Sequence, residues 1–310
     1  MASPQPAIFV EQVALHTHLE FSVPKDCDAS GVVAAVTRAR QTSHTVRGPD
    51  MVWGFSPGLW QQLDPSTLPD NVHPFTGVEG RAGVNAPATQ SDLWVWVQGN
   101  LWEKVWHTAT TVQEALTPPL TLDYALDAFV GADIRDPTGF IDGTANPAID
   151  EAIRVSVVPE GQKGAGGVPV LVQKWIHNLK KFNAISVPEQ QDVFGRTKVD
   201  SVQLDHAHMP ATSHVSRTSI HGSDGSGRHI YRRNTPFAAT PGEAGSQFIG
   251  CAADVSAIDE MLDRMFGRAP DGIIDHFTLY STPVTGSYYW TPPMEDLDRI
   301  FGPIKAPRHH

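Results

Sequence analysis

The stretch LWVWVQGNLWEKVWHTATTVQEALTPPLTLDYALDAFV, Leu93 to Val130, reads as strand, helix, strand. Leu93 to Val97 is an apolar run of strand length. Asn100 with Glu103 three residues on has capping-box spacing, so a helix is expected to start there. Leu101, Val105, Ala109, Val112 and Leu116 recur at helical spacing and mark its buried face. Pro118 ends it, and Leu120 to Val130 reads as the next strand. A second segment has the same plan. Phe248 to Ala253 is a strand. Ser256 caps a helix carrying Ile258, Met261, Leu262, Met265 and Phe266, Gly267 stops it, and Ile273 to Ser281 is again a strand. There is no regular βα alternation and no glycine-rich strand-to-helix turn. The pattern favours an α+β class over a doubly wound sheet.

Two related α+β domains are the simplest reading, 1–135 and 136–310. DPTGFIDGTANPAID, Asp136 to Asp150, then lies between them, where ligand sites are common. Near the start, Leu15 to Val23 alternates Leu, Thr, Leu, Phe, Val with His16, His18, Glu20 and Ser22, the pattern of a half-buried strand. The two histidines are expected on its solvated face rather than as a metal pair. A helix should follow, with Val32, Val33 and Val36 on one face. Gly161 to Gly167 reads as a flexible loop.

The chain of 310 residues is long enough for a substantial core, and 40% hydrophobic with 18% charged residues is ordinary globular composition. A formal charge of -11 with no basic block argues against a nucleic-acid surface. No stretch approaches ~18 uninterrupted apolar residues, so no membrane span is expected. The first residues lack a basic region followed by an apolar run, which disfavours a secretory signal. Cys27 and Cys251 lie far apart and are expected as free buried thiols, which fits a cytoplasmic location. Trp94, Trp96, Trp102 and Trp106 are expected to pack in the core. Arg308, His309 and His310 are set aside.

No nucleotide loop, CxxC pair, HExxH helix or GxSxG elbow is present. Three features remain: Asp142 in GFIDG, His214 in ATSHVSR, and the basic group Arg228, Arg232 and Arg233 in GRHIYRRNTPF. From spacing alone these are equally a turn carboxylate, a satisfied histidine and an exposed strand.

The order of longer strings is more specific: GFIDGTANP, NAISVPEQQDVFGRTKVDSVQLD, PATSHVSR, YRRNTPF, STPVTGSYYW. This resembles the dye-decolorizing peroxidase family, and looks most like its shorter bacterial branch, often called B-type. Gly139, Phe140, Ile141, Asp142 and Gly143 meet its GxxDG pattern in full. The likeness covers nearly all of the chain after about Asp136. Before that it rests on strand order and on VWGFSPGLW.

The resemblance implies duplicated ferredoxin-like domains with one haem b per chain in the C-terminal one. It implies His214 as proximal iron ligand, Asp142 and Arg232 as the distal pair, and Asn234 as a distal polar residue. Ile141, Gly143, Thr144 and Phe248 would contact the haem, and Asp275 in IIDHF would bond the proximal imidazole. Arg217 is a candidate partner for a haem propionate, as is His221, which also competes with His214 for the iron. His206 and His208, in a loop-like stretch before Pro210, rank lower. The implied reaction reduces hydrogen peroxide and oxidises dyes, phenolics or other one-electron donors through a ferryl state. Tyr288, Tyr289 and Trp290 are candidates for surface oxidation by side-chain type.

The chemistry suits the residue types. One peroxide oxygen must lose a proton and the other gain one, and an ionised carboxylate can carry it. Free Asp titrates near ~3.9 and free His near ~6.5, so at about pH 4 a carboxylate base stays competent where an imidazole does not. Arg232 would stabilise negative charge on the leaving oxygen. The alternative is a haem-handling protein of the same fold, for transfer, storage or iron release. It would need His214 but not the pair Asp142 and Arg232. Homo-oligomers are expected by the same resemblance. Packaging in a protein nanocompartment is not, because no targeting extension is seen after KAPRHH.

Overall fold

The computed structural model describes residues 2–45 and 48–304; the terminal Arg308, His309 and His310 lie outside them. The first half runs β1 (Leu15–Ser22), α1 (Ala29–Ser43), β2 (Asp50–Phe55), α2 (Pro57–Leu63), the small hairpin β3 (Val78–Glu79) and β4 (Asn85–Ala86), β5 (Leu93–Gly99), α3 (Trp102–Leu116) and β6 (Thr121–Phe129). The second begins with α4 (Ile149–Ser156) and β7 (Val168–His177), then three short helices, α5 (Leu179–Phe182), α6 (Val187–Phe194) and α7 (His214–Thr218). The hairpin β8 (Ile220–His221) and β9 (Gly227–Arg228) precedes β10 (Tyr231–Arg232), β11 (Thr235–Ala238) and β12 (Ala244–Cys251). Then come α8 (Ser256–Met265), β13 (Ser281–Pro283), β14 (Ser287–Thr291) and α9 (Met294–Phe301).

Both halves build the same sheet. In the first, the order across the sheet is β2-β5-β1-β6. In the second it is β10-β12-β7-β14, with β11 also on β12 and β13 on β7. Each pairing is antiparallel, and each half places its strands in ferredoxin-like order. The α+β expectation and its duplication hold. The halves join where Trp290 of β14 faces Phe55 of β2, which makes one continuous sheet.

Local physics accounts for the elements. The Asp28 side chain accepts from the Gly31 amide and starts α1, whose Val32, Ala35, Val36 and Ala39 are fully buried. β5 is apolar from Leu93 to Val97 because both its faces are covered. Leu93, Val95 and Val97 meet the helices, while Trp94 and Trp96 meet Tyr289, Val170 and Ile249 in a second buried layer. Arg40 of α1, 1% exposed, donates to the Leu297 and Gly302 carbonyls and to Asp298, and Phe301 of α9 stacks on Phe55 at 5.3 Å.

That second layer overturns one expectation. His16 and His18 are not solvated; they are 1% and 0% exposed, because the face of β1 opposite its helices is also packed. Trp96 Nε1 donates to His16 Nδ1 at 3.1 Å, and His18 Nε2 lies 2.9 Å from the Thr235 hydroxyl. Burial drives the His16 pKa down to about 3 and the Glu20 pKa up to about 7. Tyr289 donates to Glu20 at 2.7 Å.

Other expectations fail for local reasons. Asn100 does not cap α3: its Oδ1 accepts from Ala14, and Leu101 stands at the cap without a side-chain bond. Leu101, Trp102 and Trp106 lie away from the buried face of Val105, Ala109, Val112 and Leu116, 50%, 46% and 55% exposed. Ser256 lies inside α8, with its amide bonded to Asp254. Ile273 to Ser281 is not a strand; Asp275 caps a short 3-10 turn at His276–Leu279, and the fourth strand is β14. Tyr288, Tyr289 and Trp290 on it are fully buried, so none presents a surface to a bulky donor. Gly161 to Gly167 is closed by paired bonds between Val158 and the Gly166 and Gly167 backbone. Cys27 and Cys251 are free, but only Cys251 is buried. Among the described residues, no helix is long and apolar enough to cross a membrane.

Candidate active site

A cavity of about 350 Å³ opens in the second half between the sheet, α8 and the chain around α7. Its apolar wall includes Phe248, Ile258, Met261, Leu262 and Met265; its polar wall includes Asp142, Arg232, Asn234 and His214.

The loop carrying Asp142 is built from its own sequence. Asp136 Oδ1 accepts from the Thr138 amide at 2.8 Å, and Gly139 donates back to the Asp136 carbonyl at 2.9 Å. Gly139 and Gly143 have φ of +86° and +72°, a conformation that favours glycine on either side of Asp142. Phe140 is buried and stacks on Phe194 at 4.1 Å, anchoring the loop to α6. The Asp142 amide donates to the Ile134 carbonyl at 2.8 Å, and Asp142 Oδ1 accepts from the Gly143 amide at 2.7 Å. Asp142 Oδ2 has no protein partner among the described residues.

Asn146 ties this loop to the opposite wall. Its Nδ2 donates to the Arg232 carbonyl at 2.7 Å, and its Oδ1 accepts from the Arg232 amide at 3.0 Å. The two bonds fix the backbone of β10, and with it the Arg232 guanidinium, against the loop. Burial pulls the Arg232 pKa down, and the charge of Asp142 works the other way. Asn234, two residues on, has its Oδ1 buried without a donor.

His214 is the first residue of α7, placed there by the Ser213 cap. Its ring sits edge-on to Phe277 and Phe194, with centroids 5.4 and 6.5 Å away. Nδ1 lies 2.6 Å from Oδ2 of Asp275, which is fully buried and accepts from the Phe277 amide through Oδ1. Nε2 has no hydrogen-bond partner among the described residues.

The remaining residues read from the sequence divide. Ile141, Gly143, Thr144, Phe248 and His221 line the cavity. Arg217 does not. Its guanidinium is buried and held by both oxygens of Asp271, at 2.8 and 3.0 Å, and by the Arg264 carbonyl. Its charge is already paired with Asp271, and it is not among the residues that line the cavity. His206 and His208 are exposed, and neither lines it. Asn146, Asp136 and His177 were not singled out. The first two lie in the same string as Asp142, and only position in that string could have drawn attention to them.

Known proteins resemble this chain over most of its length. A family model described as Dyp-type peroxidase, C-terminal, matches residues 133–296. A dye-decolorizing peroxidase of Mycobacterium tuberculosis is 33% identical over 271 residues, 87% of this chain and 79% of that one. The chain belongs to the dye-decolorizing peroxidase family. A second relative of that name, from Brevibacterium linens, is 32% identical over 90% of this chain and 75% of its own. Among solved structures, DyPB from Rhodococcus jostii RHA1 superimposes with a TM-score of 0.88 at 29% identity, covering 96% of this chain and 97% of that one. Variants of that DypB were solved in complex with haem. The encapsulated DyP-type peroxidase from Mycobacterium smegmatis gives 0.88 at 30% identity, over 99% of this chain and 100% of that one.

Proposed function

We propose that this chain is a haem-dependent peroxidase that reduces hydrogen peroxide and oxidises a one-electron donor, with Asp142, Arg232 and Asn234 on one side of the haem and His214 on the other. The observation that carries the reading is the imidazole of His214, hydrogen-bonded at Nδ1 to a buried carboxylate and unpartnered at Nε2, in the wall of a cavity shared with Asp142 and Arg232.

The donor set fits the group. One neutral nitrogen is left for iron, and a largely apolar wall of Phe248, Ile258, Met261, Leu262 and Met265 suits a flat porphyrin. Ile141, Gly143 and Thr144 would border it. Arg196 and His221 also line the wall, and they replace Arg217 as the groups to meet carboxylate tails. Bound haem would supply the iron that takes up peroxide and would pass the oxidising equivalents of peroxide on to the donor.

The chain's own residues do the rest. Asp275 keeps the proton of His214 on Nδ1 and raises the basicity of Nε2. Asp142 has Oδ1 held by Gly143, so Oδ2 is free to accept a proton from peroxide and return it to the other oxygen. The terminal nitrogens of Arg232 have no protein partner among the described residues and can stabilise charge on the departing oxygen. The orphaned Asn234 Oδ1 is an acceptor for a peroxide hydroxyl. Haem would occupy this cavity, so a bulky dye would have to give up its electron from outside it.

The test is a visible spectrum of the haem-loaded chain before and after one equivalent of peroxide. A spectral change that Asp142→Ala combined with Arg232→Ala slows by about 10²–10⁴-fold is expected. A haem spectrum indifferent to peroxide would leave haem handling as the function. No haem spectrum would remove the assignment of His214.

A further inference from the structure

Asp136 and His177 line the same cavity and have no part in the roles above. Asp136 belongs to the loop, and His177 is the last residue of β7. Their facing atoms, Oδ2 and Nε2, are 3.6 Å apart. His177 Nε2 is buried with no hydrogen-bond partner, and Nδ1 is 2.7 Å from the Ser281 hydroxyl. Asp136 commits Oδ1 to Thr138, which leaves Oδ2 toward the imidazole.

An ion pair here would need both groups charged. Burial opposes that on each side: it pulls the His177 pKa down to about 4 and pushes that of Asp136 up to about 7. The negative charge of Asp142 adds to the upward push on Asp136. The neighbouring cations are turned elsewhere. Arg135 binds Asp133 and the carbonyls of Gly139, Lys198 and Val199, while Lys198 Nζ binds Gln190 at 2.6 Å. A neutral pair remains, with one proton on the carboxyl and an imidazole lone pair facing it. The gap exceeds a hydrogen bond by a few tenths of an ångström, a distance that cavity sites commonly close when occupied.

We propose that Asp136 holds a proton against Nε2 of His177, and that this neutral pair braces the Asp142 loop on β7 and keeps a second negative charge from forming beside Asp142. The consequence for catalysis rests on the peroxidase reading; the pair itself does not. Asp136 is a positioning residue, acting through Asp142. When it ionises, the brace loses its donor and Asp142 gains a like charge beside it.

Infrared spectroscopy of the full chain reads the pair directly. A protonated-carboxyl band should disappear as pH rises through about 7 and be missing from Asp136→Asn. Glu20, also titrating at about 7, contributes a second band that both variants retain. His177→Phe removes the acceptor, so the Asp136 band should move to higher frequency. It serves as the second variant if Asp136→Asn does not fold. In the haem-loaded chain, the rate of reaction with peroxide should fall through about pH 7, and Asp136→Asn should abolish that fall. A carboxyl band unaffected by Asp136→Asn, or unmoved by His177→Phe, overturns the proposal. A titrating band in a chain inert to peroxide upholds the pair and sinks the peroxidase reading alone.

Discussion

The two halves share a sheet plan and differ in what lies against it. In the first half the crossover after β1 is one uninterrupted helix, α1. Its small side chains, Ala35, Val36 and Ala39, let it sit directly on the strands, and the space is filled. In the second half the crossover after β7 is broken into α5, α6 and α7 with long connections. There the space between strands and helices is the cavity. A single fold thus makes a packed core once and a binding site once, by interrupting one helix. His214 starts the last of the three pieces, so the interruption also delivers the candidate ligand.

Removing that ligand should separate the halves most sharply. His214→Ala should abolish haem-dependent peroxide turnover while leaving the first half folded; added imidazole should restore part of the haem spectrum. Full turnover in this variant would transfer the role to another histidine. Asp275→Asn comes next. Loss of its charge behind the imidazole should cost about 10–100-fold in haem affinity or peroxide reactivity. A rate equal to the parent's would mean that the 2.6 Å contact only orients the ring.

The packing contrast predicts unequal stability losses. Leu116, fully buried in the first half, should cost about 2–5 kcal/mol on truncation to Ala. Leu262 borders the cavity and already lacks neighbours on one side, so Leu262→Ala should cost less than half as much in the haem-free chain. Equal losses by denaturant titration would break the contrast.

The smallest effect is on stability with pH. His16, His18 and His177 have pKa values lowered by burial, so their contribution is present above the unfolded value of 6.5 and lost as pH falls. For His177 the loss is complete near 4 and for His16 near 3. Glu20 and Asp136 have raised values, so theirs is present below the unfolded values of 4.5 and 3.8 and lost as pH rises through about 7. The two sets oppose each other in between. With three histidines against two acids, melting temperature should rise weakly from about pH 4.5 to 6.5, drop more steeply below that window and fall as pH rises through about 7. A steady rise to pH 9 or so would show that the buried acids are ionised in the folded chain.

Much of this was legible where the signal is local. The GFIDG turn, the SHVSR start of α7 and Arg232 with Asn234 are contiguous strings, and they face one cavity. Helix faces were legible from spacing, as in α8. What escaped depends on partners distant in the chain. The face of β1 bearing His16 and His18 looks solvated until the second half supplies Thr235 to cover it. Asn146 looks like a turn residue until β10 arrives. Arg217 looks like an anion binder until Asp271 takes both its terminal nitrogens. Asp275 caps a turn with one oxygen and serves His214 with the other, so IIDHF could not also be a strand.

The contact of α9 with α1 has a consequence for biosynthesis. Arg40 is buried against carbonyls of Leu297 and Gly302, and Phe55 against Phe301. The first-made half therefore leaves the ribosome with an open flank and an unsatisfied guanidinium. It waits for about 170 further residues, roughly ten to thirty seconds at about 5–20 residues per second, before α9 is delivered to cover that flank. In that interval Arg40 and Phe55 stay open to solvent.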